Sequence, residues 1–123
     1  MTTILIAEDH DDIRQLLAIQ LSQHGFVVKT ASNGREALDM ARASPPDAVL
    51  MDMNMPVLDG WEASCQLKLD QELSRIPIIA LTAYALPGDQ ARAQHAGCDA
   101  YHAKPLDIKL LVQQIESLLQ VER

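Results

Sequence analysis

The sequence predicts an α/β fold, a doubly wound five-stranded parallel sheet with helices on both faces. Short apolar segments alternate five times with segments of helical periodicity. The apolar segments are largely continuous instead of alternating with polar residues, so both faces of the sheet are expected to be covered. The chain of 123 residues is long enough for a single domain, residues 1–123, with one substantial core.

Five segments are predicted as strands because each is a short apolar run bounded by polar or turn residues. In chain order they are 3–8 (TILIAE), 26–31 (FVVKTA), 47–52 (DAVLMD), 76–83 (IPIIALTA) and 100–104 (AYHAK). The third is fully apolar between its two end acids, which is typical of a strand in the middle of a sheet.

Five segments between and after the strands are predicted as helices, at 11–25, 33–44, 59–69, 88–97 and 107–120. The first is stopped by Gly25, and its apolar residues recur at helical spacing. These are Ile13, Leu16, Leu17 and Leu21. The second has Ala37, Leu38 and Ala41 on one face, and the third begins after an expected N-cap at Asp59. The fourth is weak, because its alanines offer little apolar area.

The last predicted helix is the clearest, because its apolar residues share one side. These are Ile108, Leu111, Val112, Ile115 and Leu119.

The composition excludes several classes of protein. Hydrophobic residues make up 48% and charged residues 22%, which is typical of a globular domain. The net charge of −7 argues against binding to nucleic acid or to an anionic membrane. No apolar stretch approaches the roughly 20 residues that span a bilayer, and the start of the chain does not resemble a signal peptide. Cys65 and Cys98 form no CxxC motif, and we interpret them as reduced thiols of a cytoplasmic protein.

Polar side chains occur at four predicted strand ends. The first strand ends in Glu8-Asp9, Asp52 ends the third, Thr82 lies near the end of the fourth, and Lys104 ends the fifth. In doubly wound sheets the functional site lies outside the carboxyl ends of the strands. The sequence therefore predicts that three carboxylates, a hydroxyl and an ammonium converge on one edge of the sheet.

Each of these residues alone has an ordinary structural interpretation. Acids favour the N-terminus of a helix, and a lysine or aspartate in a loop needs no special role. Together they are harder to explain, since three adjacent carboxylates repel one another unless a cation lies among them. Oxygen ligands with places left for water suit Mg²⁺, which also binds phosphate oxygens.

The ordered set of residues resembles the receiver domain of two-component response regulators over essentially the whole chain. The resemblance rests on the acidic pair Glu8-Asp9, Asp52 followed by MPVLDG, Thr82-Ala83, and Lys104-Pro105. It implies the flavodoxin-like strand order 2-1-3-4-5. It also implies that Asp52 accepts a phosphoryl group from a phosphohistidine of a sensor histidine kinase or histidine phosphotransfer protein.

The resemblance further implies roles for the residues around Asp52. Mg²⁺, with Mn²⁺ as an alternative ion, is held by Asp9, Asp52 and the main-chain carbonyl of Asn54, with Glu8 acting through water. Lys104 and the Thr82 hydroxyl contact phosphoryl oxygens. Met51 and Met53 beside Asp52 are interpreted as packing residues.

Other positions are assigned to switching and to lifetime. Tyr101 matches the aromatic residue that turns inward when Thr82 moves, and the Lys104-Pro105 bond is expected to be cis. Asn54 and Tyr84 flank the path of hydrolytic water, so they are expected to tune the lifetime of the phosphorylated state. The four histidines lie at no metal-ligand spacing and are expected at the surface, with His10 close enough to perturb the site.

The expected function is that of a stand-alone receiver that switches the binding of an unknown downstream protein. It is expected not to be an enzyme, apart from catalysing its own phosphorylation and dephosphorylation. A receiver excised from a hybrid histidine kinase is one alternative. A phosphatase of the haloacid-dehalogenase type is less favoured, because its metal-binding acids come last and here they come first. A flavodoxin-like cofactor binder is disfavoured too, since AEDHDD (residues 7–12) would repel a phosphate.

Overall fold

The computed structural model describes residues 2–83 and 87–122, with side chains described as far as residue 119. The strands are β1 (Thr3–Ala7), β2 (Val27–Ala31), β3 (Ala48–Asp52), β4 (Ile78–Thr82) and β5 (Ala100–Ala103). The helices are α1 (Asp11–Gln23), α2 (Gly34–Ala43), α3 (Gly60–Leu69), α4 (Asp89–His95) and α5 (Ile108–Glu122).

The strands form one parallel sheet in the order β2-β1-β3-β4-β5. This confirms the predicted fold class and strand order. β3 lies in the middle of the sheet, where Leu50 pairs in register with Ile6 of β1 and Ile79 of β4. All five residues of β3 are buried, as its continuous apolar sequence predicts.

Successive residues of the central strands contribute to two cores on opposite faces of the sheet. On β3, Leu50 belongs to the core beneath α1 and α5, whereas Val49 and Met51 belong to the core beneath α2, α3 and α4. Met53 is fully buried in the second core as well. The interpretation of Met51 and Met53 as packing residues is therefore confirmed.

Side-chain caps lie at the start of three helices; at α5, Oδ1 of Asp107 accepts a hydrogen bond from the backbone N–H of Leu110 at 3.2 Å. Asn33 accepts a hydrogen bond from the backbone N–H of Glu36 at the start of α2, and Asp59 accepts one from that of Glu62 at the start of α3. The predicted cap at Asp59 is confirmed. Among the described residues, no helix is both long enough and apolar enough to cross a membrane.

Several predicted elements extend one or two residues too far at an end, whereas α5 continues two residues beyond its predicted end at residue 120. The fourth strand begins at Ile78 and not at residue 76, and α1 ends at Gln23 and not at Gly25. Leu16, predicted on the apolar face of the first helix, is 56% exposed. The expectation of four surface histidines is wrong for His102, whose Nε2 atom is buried within β5.

Candidate functional site

The predicted site residues follow neighbouring strands at the carboxyl edge of the sheet. Glu8 comes directly after β1, Asp52 ends β3, Thr82 ends β4, and Lys104 comes directly after β5. Since β1, β3, β4 and β5 are successive neighbours in the sheet, these ends lie side by side. The backbone joins two of them, because the N–H of Lys104 donates to the carbonyl of Thr82 at 2.7 Å.

Lys104 binds two of the carboxylates. Its Nζ atom lies 2.5 Å from Oε1 of Glu8 and 3.4 Å from Oδ2 of Asp52. The other Asp52 oxygen, Oδ1, accepts a hydrogen bond from the backbone N–H of Asn54 at 3.1 Å. The Glu8, Asp52 and Lys104 side chains are 0%, 3% and 15% exposed, so the three ionisable groups meet where little water reaches them.

The buried carboxylates of Glu8 and Asp52 shift one another's titration. Burial raises the pKa of Asp52, and the neighbouring Glu8 carboxylate raises it further. Burial opposes ionisation of Glu8 as well, but hydrogen bonds from Asp52 and Lys104 hold the pKa of Glu8 below its ordinary value. The pKa of Asp52 is therefore raised and that of Glu8 is lowered, and the Lys104 ammonium lies nearer to Glu8 than to Asp52.

The acids also form a cluster that fits a divalent cation. Glu8, Asp9, His10 and Asp52 each offer one ligand atom, and these atoms all lie within 4.8 Å of one another. Oδ1 of Asp9 is buried and accepts no hydrogen bond within the described part of the chain; it lies 3.3 Å from Nδ1 of His10. Three carboxylates, one with an unused buried oxygen, are a donor set that suits Mg²⁺.

The cluster includes His10, which the sequence predicts to be close enough to perturb the site but not to be a metal ligand. His10 has no metal-ligand spacing to another histidine, but it directly follows the acidic pair. Nearness to the acids, and not spacing between histidines, was the signal that could identify it. Arg14 was missed too: its Nη1 atom donates to the main-chain carbonyl of Glu8 at 2.9 Å. Arg14 lies in the first turn of α1 and ties Glu8 to that helix.

The remaining predicted site residues that the structure describes lie around this cluster. Thr82 is 1% exposed at the end of β4, which agrees with its predicted place at the site. Tyr101 on β5 is half-buried against the core beneath α2 to α4, and burial raises the pKa of its hydroxyl. Asn54 is exposed beside Asp52, which agrees with a position at the water path. The Lys104-Pro105 bond is cis, as expected. The prediction for Tyr84 falls outside the described residues.

The fold and this cluster of acids beside a lysine define a class of protein. A family model described as the response regulator receiver domain matches residues 4–116, and the chain belongs to this family. As a family, receiver domains bind Mg²⁺ in the acidic site and interact with kinases or phosphotransfer proteins and with downstream targets.

Individual relatives agree with the family match. The polar-differentiation response regulator DivK of Brucella anthropi is 38% identical over 117 residues, which is 95% of both chains. The chemotaxis protein CheY4 of Vibrio cholerae has a similar structure, with a TM-score of 0.90 and 29% identity, covering 96% of this chain and 98% of that one.

The receiver domain of the sensor histidine kinase PA1611 of Pseudomonas aeruginosa is also similar. It has a TM-score of 0.90 and 34% identity, covering 97% of this chain and 98% of that one. That structure contains a magnesium ion coordinated in its active-site cleft. The similarities do not favour the phosphatase or the flavodoxin-like cofactor binder.

Proposed function

We propose that Asp52 is the phosphoacceptor of this receiver and that a phosphohistidine is the donor. One observation carries the proposal: Asp52 is buried at the end of the central strand, with Lys104 on one oxygen and the N–H of Asn54 on the other. A carboxylate held at both oxygens is fixed in orientation, and it lies where the strands of a doubly wound sheet place a functional site.

The chemistry follows from these contacts. A carboxylate oxygen of Asp52 attacks phosphorus, and the bond from phosphorus to the donor's imidazole nitrogen breaks, its electron pair remaining on that nitrogen. The product on Asp52 is an acyl phosphate. The Lys104 ammonium, anchored on Glu8, is available to a phosphoryl oxygen, and the Thr82 hydroxyl is proposed to donate to another. Positioned positive charge of this kind is the main requirement of phosphoryl transfer.

We propose that Mg²⁺ occupies the acidic cluster, held by Asp9, Asp52 and the main-chain carbonyl of Asn54, with Glu8 acting through water. Bound there, the metal neutralises negative charge on the incoming phosphoryl group. The arrangement of the acids supports this, because a phosphoryl group would otherwise enter beside three carboxylates. Mn²⁺ is proposed to substitute, since it accepts the same oxygen ligands.

The proposed role is that of a switch and not of an enzyme that acts on a separate substrate. The protein would catalyse only its own phosphorylation and dephosphorylation, and phosphorylation would change its binding to a downstream protein. The net charge of −7 supports a protein partner and not a nucleic acid. We also propose a cytoplasmic location, which suits the free cysteines Cys65 and Cys98.

The test is phosphorylation by acetyl phosphate with Mg²⁺, followed by intact mass spectrometry. Wild type should gain the mass of one phosphoryl group, and Asp52→Asn should gain none. Asp12→Asn is the matched control, because Asp12 is an exposed acid in the first turn of α1. Equal phosphorylation of wild type and Asp52→Asn would remove Asp52 as the phosphoacceptor.

A further inference from the structure

We propose that His10 contributes an imidazole nitrogen to the metal site. This nitrogen extends the metal preference of the site from Mg²⁺ toward later transition metals such as Co²⁺ and Zn²⁺. This inference rests on the proposed function, since it concerns the same cluster of acids. It adds a metal-selecting residue that the carboxylates alone do not provide.

The position of the His10 ring carries the inference. Nδ1 of His10 lies 3.3 Å from Oδ1 of Asp9 and 3.5 Å from Oε2 of Glu8. In an octahedral shell with bonds of about 2.1 Å, ligands in adjacent places are about 3.0 Å apart. Nδ1 of His10 and Oδ1 of Asp9 are therefore spaced nearly as two neighbouring ligands of one ion would be, while Glu8, which acts through water, lies beside them.

Beyond its contacts with Asp9 and Glu8, the His10 side chain makes no hydrogen bond or ion pair within the described part of the chain. It is the N-cap residue of α1, but its side chain makes no capping hydrogen bond. Its backbone N–H already lies 3.5 Å from Oε2 of Glu8, which keeps the residue close to the acids. The imidazole is therefore available to a ligand at the site.

Burial shows which side of the cluster His10 occupies. The side chains of Glu8, Asp52 and Asp9 are 0%, 3% and 26% exposed, whereas that of His10 is 65% exposed. The carboxylates form the buried floor of the site, and the imidazole lies on its solvent side. An ion that keeps waters on that side could exchange one of them for Nδ1 of His10.

Ligand chemistry predicts which ions would gain from the exchange. Mg²⁺ prefers oxygen and holds water strongly, so an imidazole adds little to its binding. Imidazole suits later divalent metals such as Co²⁺, Ni²⁺ and Zn²⁺. A purely structural His10, which only holds Asp9 and Glu8 in place, would instead affect every metal to a similar degree. The two roles therefore predict different patterns across metals.

Metal titrations of metal-free protein distinguish the two roles. Affinities for Mg²⁺ and Co²⁺ are measured by calorimetry at one mildly alkaline pH, because only a neutral imidazole binds metal. His10→Ala and His10→Gln should each lower the Co²⁺ affinity at least about tenfold and change the Mg²⁺ affinity by less than about twofold. His24→Ala is the control for incidental binding to an exposed histidine, since His24 lies at the other end of α1.

A spectroscopic measurement reports the bond itself. Electron spin echo modulation of one equivalent of bound Cu²⁺, a later divalent metal that imidazole suits, should show a nitrogen coupling in wild type and His24→Ala and none in His10→Ala. Equal losses of Mg²⁺ and Co²⁺ affinity, no loss of either, or a wild-type spectrum without nitrogen would overturn the inference. The proposed function is judged separately, by Mg²⁺-dependent phosphorylation of wild type at Asp52. If wild type shows the nitrogen coupling but is not phosphorylated at Asp52, the inference about His10 stands and the proposed function is wrong.

Discussion

The Nζ atom of Lys104 lies 3.4 Å from Oδ2 of Asp52, although 52 residues separate them in the chain. The Lys104 side chain is 15% exposed, so its charge is poorly screened by water. This ammonium is the one positive side-chain group that the described structure brings to the buried oxygens of Asp52. The rate of phosphorylation should therefore depend on it.

Lys104→Met should slow phosphorylation of Asp52 by acetyl phosphate about a hundredfold, which is the usual effect of removing one positioned charge from a transition state. The measurement is the initial rate of phosphoprotein formation at saturating Mg²⁺. Lys109→Met is the control, because Lys109 is an exposed lysine on α5. Equal rates for Lys104→Met and wild type would show that Lys104 has only a structural role.

Asp52→Asn should stabilise the metal-free protein at neutral pH by about 1 to 2 kcal/mol. The pKa of Asp52 is raised in the folded state by burial and by Glu8, so the folded protein binds this proton more tightly than the unfolded chain. Tighter binding of this proton contributes to the free energy of unfolding. That contribution is fully present below the ordinary pKa of Asp52, about 4, and falls as the pH rises toward the raised pKa.

The pKa shift of Glu8 has the opposite sign and affects stability at lower pH. Its pKa is lowered in the folded state, so its contribution is complete above about pH 5 and is lost only in stronger acid. Urea unfolding with a chelator, from about pH 5 to neutrality, should show falling stability for wild type and a flatter profile for Asp52→Asn. Asp12→Asn should retain the wild-type slope, and parallel profiles for all three proteins would contradict the prediction.

The sheet and the meeting of four strand ends could be predicted from sequence because both follow from local patterns. A continuous apolar run such as that of β3 indicates a strand covered on both faces, and parallel strands bring their carboxyl ends to one edge. That reasoning alone indicates Glu8, Asp52 and Lys104.

The remaining features depend on distances that no sequence pattern contains. The pKa of Glu8 is lowered and that of Asp52 is raised although both are buried, and Lys104 lies nearer to Glu8, at 2.5 Å against 3.4 Å. Leu16 follows the helical period of its buried neighbours, yet it lies at the margin of the face that α1 buries. His102 is half-buried by the packing around β5, which its own sequence does not indicate.

Gly60→Ala should destabilise the protein by about 2 to 4 kcal/mol. A Cβ atom at Gly60 would lie 2.3 Å from the carbonyl oxygen of Asp52 and 2.7 Å from Cα of Met53, so the backbone itself would have to move. Gly25→Ala is the comparison, because a Cβ there meets nothing within 4 Å and the cost is limited to a φ of +92°. Urea unfolding should show the larger loss for Gly60→Ala; equal losses would mean that the contact with Asp52 relaxes freely.

Cys98 should react with iodoacetamide about a hundredfold more slowly in the folded protein than in urea. Burial raises the pKa of the Cys98 thiol to about 11 from an ordinary value of 9.0, which leaves about one hundredth of the usual thiolate. The Cys65→Ser variant isolates the signal of Cys98 in a mass-spectrometric time course. Rapid labelling of the folded variant would show that this part of the core, between Ser64 and Cys98, opens readily.

Occupying Asp52 with beryllofluoride, a phosphoryl mimic, should slow amide exchange in α4. This helix has seven residues, Ala93 is its one buried residue, and its N-cap Gly88 offers no side-chain hydrogen bond. So short a helix is only marginally stable, and a change of about 1 kcal/mol is enough to alter its exchange. Tyr101, half-buried on the neighbouring β5, is the proposed link between the site and α4.

The fluorescence of Trp61 offers a second measurement of the same change in α4. The guanidinium of Arg92 on α4 lies 4.1 Å from the ring centre of Trp61, the only tryptophan, at the start of α3. Movement of α4 should therefore change the fluorescence of Trp61, and Arg92→Ala should reduce that change. Asp52→Asn with beryllofluoride is the control and should show neither effect. If residues 87–105 exchange at the same rate while Asp52 of wild type is occupied, the switch does not act through α4 and β5.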